Sequence, residues 1–377
     1  MEKHYTLQKS AELLGVTTQT LRNWDNAGKI RTIRTPGNQR RIPESEISRL
    51  SGETVEPKHL PQRSTAKKDS YILMCKDIAV YNVSQDLILN ENLLPGCIKK
   101  GVMSYSQWME TRYSKDTNFS SQTLMHRAFG AYNFEHAVTT TGALSLSDCY
   151  WLKKQDEDLS FTEITPYIHK EWDGLEIHGV QNDYIFGSLS NLFVSGKTDK
   201  QWIDAQTLLK INSFAEIEPY KLCAALGLEN VTEAQISNDG IILSNFTSTD
   251  IFYESMEQSG VSEENADVRY TAVENFKDNA VALFVIDYLT ENNDRYSDDY
   301  GYLRSSLTGE YITMAPYYNF DRLWSGEAVA LPENALQNYG EYIRYLCQRA
   351  KNVAGDFEYG TIIERRADEL LQNSGLV

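Results

Sequence analysis

A lysine inside an apolar run, and two later loops rich in aspartate and asparagine, are the parts of this 377-residue chain whose chemistry stands out. Lys210 sits in TLLKIN (207–212), a strand-like run, and Glu218 follows in EPYKLCAALGL, which has helical periodicity. An ammonium on a strand thus has a carboxylate within reach on the next helix. Asp294 and Asp299 lie in NNDRYSDDYG (292–301), and Asn319 and Asp321 close MAPYYNFD. Between these loops Leu307-Thr308-Gly309 reads as a hairpin tip that folds the second back onto the first. A lysine held by an acid, an aspartate to orient a hydroxyl, and oxygen ligands for Mg²⁺ are what phosphoryl transfer from ATP needs. Taken singly each residue is ordinary, since strand lysines are usually structural and acidic loop residues usually solvated. Only their convergence carries the reading.

The elements that must position them follow from Ser70 onward, where β-branched and aromatic runs alternate with helical periodicity, the pattern of an α+β body. Residues 70–165 begin with strands in YILMCKDIAVYNV and continue with amphipathic helices near 106–113 and 122–132. Residues 166–256 form the next region, strand-rich over 178–256, with Asn238-Asp239-Gly240 marking a hairpin. Residues 257–377 hold a buried helix, NFKDNAVALFVIDYL, and two further helices at the end of the chain.

Residues 51–69 contain two prolines and almost no large apolar side chains, as expected of a linker. Ahead of it, residues 1–50 carry nine Lys/Arg against five Asp/Glu in a chain of net charge −17, so a basic head precedes an acidic body. The head reads as a helix over 7–14, a Gly15-Val16 turn and a second helix capped by Thr17 or Thr18. Leu21 and Trp24 would pack on Ala11 and Leu14, turning Gln19, Arg22 and Asn23 outward beside Thr18. RTIRTPGNQRRIP then forms a hairpin wing carrying Arg31, Arg34, Arg40 and Arg41, suited to phosphate or a narrow minor groove. Pro43 is expected in the first turn of a third helix.

The bulk composition, 41% hydrophobic and 24% charged, excludes a disordered chain. The five cysteines are scattered without metal-site or disulfide spacing, and neither a signal segment nor a membrane-length apolar run occurs. A cytoplasmic protein with no membrane partner is expected. His126, His136, His169 and His178 have no partner spacing and are assigned no role.

TLRNWDNAGKI followed by RTPGNQRRIPESEI resembles the MerR-type winged helix-turn-helix of excisionases and serine recombinases. Asn38-Gln39 replace the usual Gly-His at the wing tip, and Ile42 an aromatic. The body is similar to HipA-like kinases of Firmicutes and their phages, through SLSDCYWLKK, SGKTDKQWI, TLLKIN with EPYKL, NNDRYSDDYGYL and MAPYYNFD, in that order. The fold so implied is multidomain α+β: a small winged helix-turn-helix followed by a HipA-like kinase fold with a helical C-terminal lobe. The resemblance further implies ATP contact by Lys210 with support from Glu218, a phosphate-covering loop including Ser195, Gly196 and Lys200, and Asp294 as the catalytic aspartate. Asp299 and Asn319 stand where the family has asparagine and aspartate, an exchange that keeps the formal ligand charge for Mg²⁺, with Asp321 able to supplement it. The implied activity is transfer of the ATP γ-phosphate to a hydroxyl of a protein substrate, in a toxin–antitoxin or mobile-element setting. The rival readings are an inactive kinase fold serving a DNA-binding regulator, possible as a homodimer, and an excisionase-like DNA-binding protein.

If on the order of four to six basic side chains of the head neutralise phosphates, log K for DNA falls against log salt with a slope of about −4 to −5. Binding isotherms at several salt concentrations check this, and a flat dependence rejects phosphate contact.

Overall fold

In the computed structural model the chain divides into two compact units, residues 1–69 with 125–133, and 70–124 with 134–377. The structure describes residues 4–14, 16, 18, 21, 25, 30, 32–34, 40–43 and 47 of the head. Of the body it describes 70–112, 141–169, 175–177, 180–182, 198–260, 276–327, 331 and 335–373. The expected linker 51–69 and the expected helix near 122–132 lie outside the described residues.

The head opens with a strand the periodicity does not announce, β1 (His4–Thr6), followed by α1 (Leu7–Leu14). Thr6 Oγ1 accepts from the backbone N–H of Lys9, as a helix-capping residue does. Thr18, Leu21, Asp25 and Ile47 are helical. The wing hairpin forms as expected, with β2 (Ile33–Arg34) pairing antiparallel to β3 (Arg40–Pro43), and β1 adds to its other side in the order β1-β3-β2. Ala11, Leu14, Leu21, Ile30, Ile42 and Ile47 make a small core, with Tyr5, Leu7 and Val16 packed against it. Pro43 is the last residue of β3, opposite His4, and Ile47 is helical; residues 44–46, where the expected third helix would start, lie outside the described residues.

The body is mixed α and β, with several small antiparallel sheets. β4 (Tyr71–Cys75), β5 (Ile78–Asn82), β6 (Leu87–Ile88) and β7 (Tyr150–Lys154) make one, in the order β6-β5-β4-β7. The short helices α2 (Gly96–Lys99) and α3 (Tyr105–Thr111) lie between β6 and β7 in sequence, and α3 begins with a full capping box of Ser104 and Gln107. After α4 (Phe161–Ile164) come a two-stranded ribbon, β8 (Leu175–Ile177) with β9 (Val180–Asn182), and a second sheet. That sheet has β10 (Lys200–Asp204), β11 (Thr207–Ile211), β12 (Ala234–Ile236) and β13 (Gly240–Ser244) in the order β10-β11-β13-β12, with α5 (Ile217–Leu226) entered from β11. A third sheet joins β14 (Ile251–Ser255), β15 (Gly301–Ser305) and β16 (Tyr311–Met314).

Between β14 and β15 runs α6 (Phe276–Leu289), with Ala280–Ile286 and Leu289 buried, and α7 (Ala335–Val353) and α8 (Gly360–Asn373) pack with it. The apolar run Ala280–Ile286 reflects helices and sheet on its several faces, which leave that stretch no solvated stripe. The described cysteines are free and buried, and no helix among the described residues is long and apolar enough to cross a membrane.

The Asn238-Asp239-Gly240 hairpin is present, and Gly240 is the residue it cannot exchange. With φ at 152° it lies opposite Ile211, and a Cβ there would meet the carbonyl oxygen of Lys210 at 2.0 Å. Gly240→Ala is therefore expected to destabilise the body by at least about 2 kcal/mol in urea unfolding, whereas Gln235→Ala on the exposed face of β12 stays within about 0.5 kcal/mol.

Candidate functional site

The site is organised from α6. Asp287, fully buried near its end, accepts hydrogen bonds from Arg295 Nε (2.8 Å) and Nη2 (3.0 Å) and from Asn292 Nδ2 (2.7 Å). Both side chains of the Asp287–Arg295 pair are at zero exposure, so the geometry must satisfy each charge completely. Arg295 also donates through Nη1 to the carbonyl of Asp299 (3.1 Å) and lies 5.2 Å over the ring of Phe320. One arginine thus clamps both loops. They are stitched again where Arg322 N donates to Asn292 Oδ1 and Asn293 N to the Arg322 carbonyl, each at 3.2 Å. The β15–β16 hairpin makes this possible by returning the chain beside its own start, as its sequence suggests.

Lys210 reaches the same place from β11. Its Nζ donates to Asn319 Oδ1 (3.0 Å), to an oxygen of Asp321 and to an oxygen of Glu216. Asn319 turns its Nδ2 to Asp299 Oδ1 (2.6 Å), and the other oxygen of Asp299 accepts from Tyr296 N (3.2 Å). Lys210, Asn319, Asp299 and Asp321 are therefore brought together as the sequence leads one to expect. The expected Lys210–Glu218 pair is not: Glu218 bonds Lys221 at 2.8 Å, and the partner is Glu216. A 3₁₀ turn at Phe214–Glu216 follows β11 directly and sets Glu216 toward the lysine. Two residues further on, about 200° round the helix, Glu218 is carried to the other side. The signal for Glu216 was the short gap after the strand.

Burial works against the Lys210 ammonium, but Glu216 and Asp321 more than offset it and hold its pKa above the ordinary lysine value. Burial likewise raises Glu216, against the pull of Lys210. For Asp321 burial also acts upward, yet Lys210 and Lys200 prevail and keep the carboxyl well below its usual range. Lys200, buried opposite Lys210 on β10, is lowered chiefly by burial, with Lys210 adding repulsion that Asp321 opposes. Asp299 is pushed up to about 6, first by burial, with Asp298 and Asp321 adding to it against Arg295.

Of these groups Lys200, Lys210 and Asn319 line a cleft. Strand register orders its wall. Lys200 faces Lys210; two residues along, Trp202 faces Leu208, which faces Leu243. Ser244–Thr247, Ser147, Asp148 and Arg112 also line it. Asn319 and Asp298 also line the cleft, whereas Asp294, Asp299 and Asp321 do not. Asp294 is buried in the clamped loop, and Ser195 and Gly196 lie outside the described residues.

Among the described residues no group of three or more His, Cys, Asp or Glu is placed to hold a metal ion. The expected trio is corrected in one respect: Asp299 presents its oxygens to Asn319 and to Tyr296 N, so it holds Asn319 instead of facing a shared cation. Asn319 Oδ1 and Asp321 do converge on a cation, the Lys210 ammonium, and as hard oxygen donors they suit Mg²⁺.

In the head, Arg40 is engaged by Asp25, through Nε at 2.5 Å, and Asp25 also accepts from Thr32 Oγ1 at 2.7 Å. Arg40 thus ties the wing to the helical residue Asp25. Arg41 and Thr18 are half-buried; Gln19, Arg22, Asn23, Arg31 and the side chain of Arg34 lie outside the described residues.

Residues 11–42 match the MerR family regulatory protein. The head therefore carries a MerR-type helix-turn-helix DNA-binding domain. No curated protein and no solved structure matches the chain.

Asp287→Ala leaves a buried guanidinium without its anion and is expected to cost about 3–5 kcal/mol in denaturant unfolding. Lys221→Ala, which breaks a pair whose lysine side chain is 53% exposed, is expected to change stability by less than about 0.5 kcal/mol.

Proposed function

We propose that this protein couples its MerR-type DNA-binding head to a body that binds a nucleoside triphosphate, ATP by the sequence resemblance, and transfers the γ-phosphoryl group to a protein hydroxyl in the manner of a HipA-like serine/threonine kinase. The observation that carries the reading is the Lys210 ammonium, held by oxygens of Glu216, Asn319 and Asp321 at the end of a cleft that Lys200 shares. Lys200, buried in register with Lys210, sets a second ammonium beside the first, and the two lysines offset the Glu216 and Asp321 carboxylates where a triphosphate would enter. The apolar row of Trp202, Leu208 and Leu243 offers the base a dry surface. Glu216, not Glu218, is the carboxylate that positions Lys210.

Asp294 takes the hydroxyl proton as the acceptor oxygen bonds to the γ-phosphorus and the bond to the β-phosphate oxygen breaks, releasing the nucleoside diphosphate. Mg²⁺, when bound with the nucleotide, would be held by Asn319 and Asp321 and would offset charge on the phosphates. Asp299 orients Asn319 by accepting its amide N–H. A second reading, a nucleotide-responsive regulator without transfer, is favoured by two observations: Asn319 is engaged on both sides, and Asp294 is not on the cleft wall.

A nucleotide at about a hundredfold excess over its Kd is expected to stabilise the wild type by about 2.7 kcal/mol, read as a rise in Tm. Lys210→Met loses that rise, Glu216→Gln loses most of it, and Glu218→Gln keeps it. Label from γ-labelled ATP on the wild type and none on Asp294→Ala establishes transfer. A Tm rise with no label on either favours the regulator, and no Tm rise in the wild type rejects nucleotide binding.

A further inference from the structure

The first sheet leaves one edge open, and the residues there are not those that keep an edge from pairing. Its order is β6-β5-β4-β7, and among the described residues no strand lies beyond β6. The opposite edge, β7, is buried over Tyr150–Leu152 and ends in Lys153 and Lys154, and lysine on an edge discourages strand addition. At β6 the side chains are instead Leu87, Ile88 and Leu89, exposed at 49, 49 and 45%. Apolar side chains exposed one at a time are ordinary on a protein surface, but three in a row on an open edge are a pairing surface.

The backbone of β6 is set to receive a strand. It pairs antiparallel with β5 in the register Tyr81↔Ile88 and Asn82↔Leu87, and the Leu89 N–H donates to the Val80 carbonyl (2.9 Å). In an antiparallel ladder the peptide groups of successive residues turn alternately to one side and the other. Leu89 turns its N–H to β5, so the N–H and C=O of Ile88 point to the open edge. An antiparallel strand that places a residue directly opposite Ile88 exchanges two hydrogen bonds with it.

One incoming strand fits the residues around Ile88, and it is their own. The segment reads Gln85-Asp86-Leu87-Ile88-Leu89-Asn90-Glu91. Laid antiparallel on a second copy with Ile88 opposite Ile88, it sets Leu87 against Leu89, Asp86 against Asn90 and Gln85 against Glu91, on both sides of the axis. Like charges are nowhere opposed, and the leucines take the non-hydrogen-bonded positions, where facing side chains are closest. An axis at Leu87 instead sets Asp86 against Ile88, and one at Leu89 sets Glu91 against Leu87.

We propose that β6 is a homodimer contact, pairing antiparallel with β6 of a second copy across a two-fold axis at Ile88 and joining the two four-stranded sheets into one. A symmetric pair of bodies carries two helix-turn-helix heads, the number that reads two half-sites related by a two-fold axis. The contact is independent of what the cleft binds.

Sedimentation equilibrium of the full chain over a concentration series measures the association. The wild type is expected to move from the mass of one chain to that of two with a dissociation constant in the micromolar range, the strength of a small edge contact. Leu87→Lys/Leu89→Lys sets lysine against lysine across the axis and is expected to stay monomeric. Leu87→Lys/Leu89→Glu sets lysine against glutamate and is expected to keep the dimer. Both positions are exposed, so each variant, diluted to monomer, keeps the Tm of the equally dilute wild type. A wild type that is monomeric throughout overturns the proposal, as does a Leu87→Lys/Leu89→Lys variant that still dimerises. Two variants that are both monomeric, with unchanged Tm, overturn the axis at Ile88.

Discussion

A lysine ammonium placed inside the body, at 1% exposure, is the constraint on which the site depends. Removing that charge from water is tolerable only if oxygens surround it, so the fold must bring acceptors from distant parts of the chain to one point. Glu216 arrives by a 3₁₀ turn directly after the strand; Asn319 and Asp321 arrive from beyond the β15–β16 hairpin. Each acceptor is itself fixed, Asn319 by Asp299 and Asp299 by the Tyr296 backbone. The network fixes at the cleft an ammonium group whose position is set by the second sheet and by both loops together.

A second buried pair gives the loops the rigidity this network requires. Asp287 projects from a helix closed to water, and Arg295 answers it from the loop four residues ahead of Asp299. The same guanidinium covers Phe320, which packs edge-on against Tyr220 of α5 at 5.1 Å. The helix that follows Lys210, the loop of Asp294 and the segment of Asn319 are thus coupled through one arginine and two rings.

Much of the scaffold was legible in the residues. The wing, the strand of Lys210, the Asn-Asp-Gly hairpin, the buried helix and the two terminal helices all carry local signals: turn chemistry, alternation or apolar continuity. The errors share a cause. Glu216 and Glu218 are equivalent by type and nearly so by spacing, and only the 3₁₀ turn decides which faces the strand. Pro43 fits the start of a helix as well as the end of a strand, until β1 arrives to pair with it. Asp287 and Arg112 gave no local signal, because a charge in an apolar or ordinary surrounding is marked only by the partner that folding brings.

What the sequence determined by itself was the basic head with its helix-turn-helix, the α+β character of the body and the identity of the polar groups available for chemistry. Periodicity, turn residues and charge are properties of neighbours along the chain, and these features need nothing more. Tertiary structure alone decided which acid holds Lys210, that Asp299 supports Asn319 by accepting its amide, and that Arg112 lines the same cleft. Each is a pairing between segments remote in sequence or turned by a single local geometry, and a buried charge or donor is satisfied by whatever the packed chain sets within hydrogen-bond reach.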